Sequence, residues 1–420
     1  MQATATAAGG LGSSKAERTA LKKALRRTER RRQLWAFGLT LPLLAFLLAV
    51  FVVPILGMLK LSVENSELAR TMPEAAEALR AWEGGGVPPE PVVATFAHDL
   101  RAARDARALS PVAQRLNNAH AGDRSLIQGT ARRLPDAPDG SWTATLAEID
   151  AEWGEPRIWW SLKRAAEPWT DLYLLQSLDL QRDIDNEIVA TPSERALYRN
   201  VLARTLWISL AVTVLCFVIG YPLAYKLSTL PPRLANPLMI LVLLPFWTSL
   251  LVRSAAWIVV LQREGPINET LLWLGILAEP VQLVFNRAGV LIAMTHIMLP
   301  FMVLPLVSVM KSIPKSHMQA AIGLGAPPLT AFSRVFLPQT RPGIGAGCLL
   351  VFIISIGYYI TPALVGGTAD QMISYFVAFF TLQTVNWGMA AALGSILLVA
   401  VLALYFVYAR LVGIDRLKLG

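Results

Sequence analysis

The feature that most constrains the fold is an uncharged, apolar stretch of 26 residues, Leu34 to Leu59. A helix of this length, rising about 1.5 Å per residue, crosses the roughly 30 Å hydrocarbon core of a bilayer. A cleaved signal peptide has a shorter apolar core and a small-residue cleavage site. We therefore predict that this stretch, within residues 34–60, is retained as a transmembrane helix.

The composition of the whole chain agrees with a membrane protein. The 420 residues are 54% hydrophobic, with a mean hydropathy of +0.48, which is too apolar for a soluble domain of this length. Five further apolar stretches, at residues 198–227, 236–261, 288–310, 343–365 and 391–412, predict five more spans. The predicted fold class is an all-α polytopic membrane protein with six transmembrane helices.

The positions of basic residues predict the orientation of these spans. Residues 1–33 form a tail with seven Lys and Arg between Lys22 and Arg32, and basic side chains concentrate on the cytoplasmic side of membranes. We expect both termini to be cytoplasmic and the tail to contact acidic lipids. Residues 61–200 hold 22 acidic and 15 basic side chains, so the net charge of +9 arises beside the spans. This distribution argues against a nucleic-acid partner.

The polar segment 61–200 is predicted to be a mostly helical insert on the extracytoplasmic side, ahead of a permease-like core at residues 201–420. Five aromatic residues in its second half could form a core, a membrane-interface belt or a partner surface. These are Trp153, Trp159, Trp160, Trp169 and Tyr173. The sequence from Thr191 to Glu194 is a capping box with Pro at the first helical position, which predicts that a helix begins there.

A polar loop at residues 311–341 separates the fourth and fifth predicted spans. Ser316 and Gln319 have the spacing of a capping box, so we predict a short helix over Ser316 to Gly325. Gly325 allows close approach of another backbone, and two prolines after it forbid continuation of the helix. The result is a short helix suited to docking.

This loop resembles the EAA loop of membrane subunits of ATP-binding-cassette importers. The resemblance assigns ATPase coupling to Ser316, Gln319, Ala320, Ala321, Gly325, Leu337 and Pro338. Two positions depart from the family pattern, Gln319 for Glu and Val335 for Ile. Gln319 keeps a hydrogen-bonding side chain but not the charge, so a salt bridge made by the usual Glu is not expected.

Residues 200–416 further resemble the permease of the spermidine/putrescine importer family. The matching stretches are Pro245–Arg253, Ala256–Trp257, Gly265–Asn268, Gly357–Gly367 and Asn386–Gly388. The resemblance implies a type I importer permease fold in the bacterial inner membrane. It also implies three kinds of partner: a second homologous permease, two cytoplasmic ATPases and an extracytoplasmic solute-binding protein.

Polyamines are cations, and aromatic faces and hydroxyls suit a pathway for them. The candidate pathway residues are Trp247, Thr248, Ser249, Trp257, Tyr358, Tyr359 and Thr361. Arg253 would repel a cation at its own level and is interpreted as a gating or structural residue. His296 is interpreted as a hydrogen-bonded packing residue rather than a proton carrier.

The chain is not expected to be an enzyme or to bind a cofactor. It contains no phosphate-binding Gly-x-x-x-x-Gly-Lys-Ser/Thr motif, so ATP and Mg would bind the partner ATPase. Cys216 and Cys348 lie in apolar segments as small core residues, and no metal site is indicated. Alternatives to polyamine transport are import of another organic solute, such as an opine or amino-acid derivative, and secondary transport. Secondary transport usually needs intramembrane acids, and no Asp or Glu falls in the six predicted spans.

Overall fold

A computed structural model describes residues 32, 35–183 and 185–412. The chain divides into two units, Met1–Lys60 and Leu61–Gly420. The first span is a helix over Trp35–Leu61 (α1), as predicted. It contains a π-helical turn at Leu48–Val52, directly before Pro54, which has no N–H to donate to an α-helical bond. Apart from Arg32, the predicted basic tail lies outside the described residues.

The insert is built mainly of short helices followed by a two-stranded hairpin. The helices are Glu67–Thr71 (α2), Pro73–Ala81 (α3), Glu90–Asp105 (α4), Ser110–Ala119 (α5), Asp123–Arg133 (α6), Trp142–Ile149 (α7), Pro156–Ala166 (α8) and Leu172–Gln176 (α9), with a 3-10 turn at Ala151–Gly154. The antiparallel strands are Leu180–Arg182 (β1) and Ile188–Ala190 (β2). The predicted helical character of the insert is therefore confirmed.

Helices α2 to α8 enclose a hydrophobic core that runs from Leu68 to Ala166. Phe96, Trp153 and Trp159 lie at its centre, with ring centroids 5.2 to 5.5 Å apart. Both indole N–H groups are satisfied, since Trp153 donates to the Thr130 hydroxyl and Trp159 to the Trp153 carbonyl, each at 2.8 Å. Of the three roles predicted for the aromatic residues, Trp153 and Trp159 have the first, since they form part of a hydrophobic core.

The two ends of this domain lie side by side. The backbone N–H of Thr170 donates to Val63 at 2.8 Å, and that of Asn65 donates to Pro168 at 3.2 Å. The side chain of Asn65, fully buried, donates to the carbonyls of Arg164 and Glu167 at 2.8 Å each. Residues 63–65 and 168–170 therefore pair through their backbones, and we call this pairing the stem. The chain between them begins and ends at nearly the same place.

The second half of the chain carries the remaining long apolar helices. Its elements are Tyr198–Thr229 (α10), Pro232–Leu243 (α11), Leu250–Leu261 (α12), Pro266–Trp273 (α13), Arg287–Ser312 (α14), Lys315–Gly323 (α15), Pro328–Ala331 (α16), Leu337–Gln339 (α17), Arg341–Ile356 (α18), Ile360–Val365 (α19), Ile373–Leu382 (α20) and Trp387–Val412 (α21). Four helices of the described chain, α1, α10, α14 and α21, are long and apolar enough to cross a membrane. The number rises to six if each of two bent helix pairs counts as one span.

The prediction of a continuous third span over residues 236–261 is wrong. A 3-10 turn at Leu244–Trp247 and extended residues separate α11 from α12, and the helix pair is bent by 103°. Pro245 explains the break, because its ring would clash with a carbonyl of the preceding turn and it has no N–H to donate.

The continuous fifth span over residues 343–365 is also wrong. Helix α18 ends at Ile356, and α19 begins again at Ile360. Pro362 cannot continue an α-helix through the preceding turn, which accounts for the interruption.

Helix α10 begins at Tyr198 rather than at the predicted capping box. Asp179 supplies the cap from a distance: its carboxylate accepts from the backbone N–H groups of Leu197, Tyr198 and Arg199 at 2.9, 2.9 and 2.7 Å. These are unpaired donors of the helix start, so the insert fixes where α10 begins.

The core of this half lies where α10, α14 and α18 meet. Two glycines on neighbouring helices face Met302 of α14. A Cβ added at Gly220 would lie 3.0 Å from Met302 Cγ, and one at Gly347 would lie 2.8 Å from Met302 Sδ. Small residues at helix contacts let backbones approach closely, as is common between transmembrane helices.

Candidate functional site

Two sets of predicted residues occupy distinct places in the fold. The first is the coupling segment, residues 311–341, between α14 and α18. Its first helix, α15, begins at Lys315, and the residue before it is Pro314 with ψ of 132°. Ser316 is therefore already the second helical residue, and no side-chain hydrogen bond caps the helix. The predicted capping box of Ser316 and Gln319 is wrong, because the extended residue that precedes the helix is Pro314, two residues before Ser316.

Gly325 ends this helix through its backbone conformation. Its φ is +89°, a left-handed value that glycine adopts without a Cβ penalty. The N–H of Ala326 donates to the carbonyl of Ala321 at 3.1 Å, and that of Gly325 donates to Ile322 at 2.9 Å. These two bonds form a Schellman motif, which satisfies the last carbonyls of a helix. The glycine therefore stops the helix before the two prolines that were predicted to do so.

The helix and the turn after it present apolar side chains outward. Leu324 is 90% exposed and Leu329 is 78% exposed, with Ile322 beside them at 47%. We call Ile322, Leu324 and Leu329 the docking surface. Among the predicted coupling residues, Ser316, Gln319, Ala320 and Gly325 are exposed and Ala321 is half-buried. Exposed apolar side chains gathered on a loop are typical of a surface that binds another protein.

The other face of the coupling segment is anchored to helix α10 by aromatic rings. A π-helical turn at Phe332–Phe336 leads into α17, which Leu337 and Pro338 begin. Tyr225 of α10 lies 5.5 Å from the Phe332 ring and 5.3 Å from the Phe336 ring, in edge-to-face geometry. We call Tyr221, Tyr225, Phe332 and Phe336 the aromatic brace. Sequence reasoning did not find it, although Phe332 and Phe336 share a helical face at a spacing of four.

Polar contacts complete the connection between the coupling helix and α18. His317 Nδ1 lies 2.9 Å from Gln339 Oε1, so the first turn of α15 is tied to α17. Thr340, fully buried at the bend before α18, lies 3.1 Å from the Tyr221 hydroxyl. These contacts tie the coupling segment to α10 and place its residue Thr340 directly before α18.

The second set is a polar cluster on α12, α14 and the segment around α19. Trp257 Nε1 donates to His296 Nδ1 at 3.3 Å, and the two rings are edge-to-face with centroids 5.3 Å apart. The hydroxyls of Ser254 and Thr361, both fully buried, lie 2.9 Å apart. The side chain of Tyr358 hydrogen-bonds to Thr361, and Arg253 is next to Ser254 in the chain. The structure thus brings together Arg253, Trp257, His296, Tyr358 and Thr361, which the sequence placed on three separate segments.

The remaining predicted pathway residues occupy the bend between α11 and α12. Arg253 Nη2 donates to the carbonyl of Thr248 at 3.1 Å, while its Nε is buried with no hydrogen-bond partner. Ser249 immediately precedes α12 as its N-cap residue, and its carbonyl accepts from the N–H of Arg253. Trp247 is 70% exposed and Tyr359 is 37% exposed, so neither is committed to packing within the chain. Sequence reasoning missed Ser254, whose partner is Thr361.

The polar cluster offers hydroxyls, π faces, an imidazole and one guanidinium. No Asp or Glu of the sequence lies on α12 or in residues 357–365. Such a set can donate hydrogen bonds and face a cation with aromatic rings, but it supplies no carboxylate for proton transfer. Its chemistry suits passage or gating of a polar solute.

Comparison with known proteins finds relatives of the second half of the chain. Residues 208–413 match the family described as binding-protein-dependent transport system inner membrane component. The chain is 37% identical over 214 residues to the spermidine/putrescine transport system permease protein PotB of Escherichia coli, covering 51% of this chain and 78% of that protein. The corresponding protein of Haemophilus influenzae is 36% identical over 218 residues, covering 51% and 76%.

More distant similarities extend over the same half of the chain. The molybdenum transport system permease protein ModB of Mycobacterium bovis is 31% identical over 217 residues, covering 52% of this chain and 79% of that protein. Among solved structures, the chain is similar to a bacterial alginate ABC transporter in complex with an alginate pentasaccharide-bound periplasmic protein. The matched region covers 54% of this chain and 81% of the transporter chain, with a TM-score of 0.45 and 18% sequence identity. The family match begins at residue 208, after the insert.

Proposed function

Because the chain belongs to the family of inner membrane components of binding-protein-dependent transport systems, we propose that it is the permease subunit of an ATP-driven importer of polyamines such as putrescine or spermidine. The substrate class is proposed from the sequence identity of 36–37% to spermidine/putrescine permeases over 76–78% of their length. The polar cluster supports it, since Trp257 and Tyr358 offer π faces to a cation. A secondary transporter has no support from this family.

The proposed topology has six spans with both termini in the cytoplasm. In this arrangement the bent pair that contains α11 and α12 counts as one span and α18 as another, which gives six with α1, α10, α14 and α21, while residues 328–339 of the second bent pair stay in the coupling segment. The coupling segment then lies on the cytoplasmic side, beside Lys311 and Lys315, and the insert lies on the extracytoplasmic side. Single cysteines at the exposed positions Glu83 and Ser333, in a chain whose Cys216 and Cys348 are replaced, followed by labelling with a membrane-impermeant thiol reagent, test both placements.

The proposed partners are a second homologous permease, two cytoplasmic ATPases and an extracytoplasmic solute-binding protein. The docking surface supports the ATPase contact, because Leu324 and Leu329 are left exposed. In this proposal ATPase closure moves the docking surface, and the aromatic brace transmits the movement to α10. One coupling segment per chain, for two ATPases, supports a second permease as the other half of the pathway.

Uptake measurements test the polyamine substrate. A host without its own polyamine importers would receive this chain together with its ATPase, second permease and binding protein. We expect energy-dependent uptake of radiolabelled putrescine or spermidine, lost when this chain is omitted. Competition by unlabelled polyamine but not by an amino acid would support the proposal; the reverse pattern would reject it.

One observation favours a second candidate, a carboxylate-bearing solute such as an amino-acid derivative. Arg253 sits in the polar cluster with a buried Nε that has no partner, and a guanidinium pairs well with a carboxylate. Arg253→Gln separates the candidates, with Arg263→Gln as the control, because Arg263 contacts only a backbone carbonyl at Pro280. A carboxylate pathway predicts loss of uptake in Arg253→Gln alone, whereas a polyamine pathway predicts that substrate affinity is kept.

A further inference from the structure

A cavity of about 1150 Å³ lies between the insert and the ends of three apolar helices. The insert contributes residues of α5, α8 and the β1–β2 hairpin to its wall. Helix α9 and residues 167–171 of the insert also line it. Tyr198 at the start of α10, Phe380 in α20, and Asn386 and Met389 around the start of α21 line the other side. The insert therefore contributes most of the polar side chains, and the wall that adjoins the spans is mainly apolar.

The polar wall carries five arginines, of which two are neutralised by neighbouring acids. Arg157 pairs with Asp123 at 2.9 Å, and Arg182 pairs with Asp171 at 2.6 Å. Among the described residues, Arg115, Arg164 and Arg195 form no ion pair with a carboxylate. The cavity thus holds three guanidinium groups without a direct counter-ion.

Two of these three are built into the structure. Arg115 is 4% exposed, and its Nε donates to Asn65 Oδ1 at 2.7 Å. Arg164 donates through both Nη atoms to the carbonyls of Arg182 and Asp183, while its Nε is buried without a partner. Burial and the neighbouring Arg182 lower the pKa of Arg164. Burying a guanidinium is costly unless a counter-charge compensates it.

The acids in the cavity wall supply that counter-charge only in part, since Asp171 and Asp183 raise the pKa of Arg164 by less than burial and Arg182 lower it. Asp179 is occupied by the three backbone donors at the start of α10, and Asp171 by Arg182. Asp183 accepts from the backbone N–H groups of Asp185 and Glu187 at 3.0 Å each. Glu167, the fourth acid, is an exposed side chain. The unpaired arginines therefore remain available to an anion from outside the chain.

The apolar wall indicates which kind of anion this is. Beyond Phe380 and Met389 lie Leu382, 74% exposed, and Trp387, 46% exposed, at the junction of α20 and α21. Tryptophan and exposed apolar side chains at the ends of spans are typical of the membrane interface. We propose that the cavity binds the phosphate group of an anionic phospholipid, with Arg164 and Arg195 facing the phosphate and the acyl chains running past Phe380 and Leu382.

This proposal uses the membrane placement given under Proposed function, but its test does not depend on transport. The full chain, purified within its transport complex, would be titrated in detergent with phosphatidylglycerol and with zwitterionic phosphatidylcholine. Native mass spectrometry would count the bound lipid. We expect Arg164→Gln/Arg195→Gln to bind phosphatidylglycerol at least about tenfold more weakly than the unaltered chain, since charge-assisted hydrogen bonds are lost.

The matched control is Arg107→Gln/Arg132→Gln, which removes the same charge from exposed positions of the insert outside the cavity. Arg195→Gln alone keeps the test valid if the double variant misfolds, because Arg195 is exposed and forms no ion pair in the described chain. We expect it to weaken phosphatidylglycerol binding about threefold or more. Equal phosphatidylglycerol affinity in all variants, or no preference over phosphatidylcholine, would overturn the proposal.

Inorganic phosphate distinguishes a lipid from a free anion. Millimolar phosphate should compete only weakly, because it lacks the apolar part that the cavity accommodates. If phosphate bound the arginines equally well and phosphatidylglycerol showed no additional affinity, the lipid assignment would be wrong and the site would belong to a free phosphate-like anion.

Discussion

At the scale of single residues, Gly325 has a conformational role that the spacing of a motif does not reveal. The sequence suggested close approach of another backbone. In the structure a Cβ at Gly325 would meet no atom within 4 Å, and the requirement is the φ of +89° that closes the Schellman motif. Sequence spacing located the residue, but only backbone geometry identified what the glycine does.

This distinction predicts different effects for two neighbouring glycines. Gly325→Ala should raise the free energy of the helix-ending turn by about 1–2 kcal/mol, because a side chain disfavours the left-handed conformation. Gly323→Ala, at a helical position that is equally open, should be neutral or stabilising by about 0.5–1 kcal/mol. The measurement is uptake per ATP hydrolysed by the reconstituted importer. We expect the ratio to fall only in Gly325→Ala, and an equal fall in both would refute the conformational explanation.

The buried hydroxyl pair gives a second test at this scale. Thr361→Val should destabilise the chain by about 1–3 kcal/mol, since it leaves the Ser254 hydroxyl buried without its partner. Ser254→Ala should have a similar effect, whereas the double variant should be closer to the unaltered protein because neither hydroxyl is left unpaired. Thermal unfolding of the purified complex in detergent measures the stability of the two single variants and the double variant, which together form a double-mutant cycle. Strictly additive effects would show that the two hydroxyls do not interact.

At the scale of elements, long uninterrupted helices were predicted well and broken ones were not. Helices α10 and α14 end within two residues of their predicted bounds, since apolar length and flanking charge determine them. The segments containing Pro245 and Pro362 are equally apolar but are interrupted near these prolines, whereas Pro222 in α10 and Pro300 and Pro305 in α14 lie within continuous helices. Hydropathy does not register that interruption, so the polar cluster, assembled from these broken segments, could be named residue by residue but not recognised as one site.

The docking surface and the two phenylalanines of the aromatic brace lie in the coupling segment, but substitutions in them should have different effects. Leu324→Ser/Leu329→Ser removes exposed apolar area, so we expect unchanged thermal stability but reduced co-purification of the ATPase. Phe336→Ala removes a buried ring of the brace and should lower stability by about 3–5 kcal/mol. Ile188→Ser, an exposed apolar position on β2, is the control for surface changes. Normal ATPase association in the double leucine variant would exclude the docking surface from the contact.

At the scale of the whole molecule, the insert has its own hydrophobic core, separate from that of α10, α14 and α18. Composition located the insert, because the charge balance changes near residues 61 and 200. The stem at residues 63–65 and 168–170, the remote cap by Asp179 and the arginine-lined cavity depend on contacts between distant parts of the chain. Local sequence patterns contain no signal for such contacts, so these features could not be predicted.

The stem defines where the insert can be removed. Replacing residues 67–166 with a short Gly-Ser linker keeps the backbone pairing of Val63 with Thr170 and of Asn65 with Pro168. It also keeps Asp179, the cap of α10. We expect the shortened chain to fold and assemble with its ATPases, because the core around Met302 is untouched. Failure to assemble would show that the insert is required as a scaffold.

The same deletion tests whether the insert recruits the solute-binding protein. Its net charge of about −7 would attract a basic docking face, and exposed charges are screened beyond about 8 Å at physiological ionic strength. Binding-protein affinity for the unaltered complex should therefore weaken as salt rises from low to physiological concentration. The deleted residues 67–166 hold 14 acidic and 12 basic side chains, so the shortened chain keeps about −5 of this charge. If the deleted helices form the contact, we expect the shortened chain to bind the solute-binding protein more weakly while most of the salt dependence is kept, because most of the charge that steers association remains. Surface plasmon resonance at several salt concentrations measures both, and an unchanged affinity after deletion would exclude the deleted helices from docking.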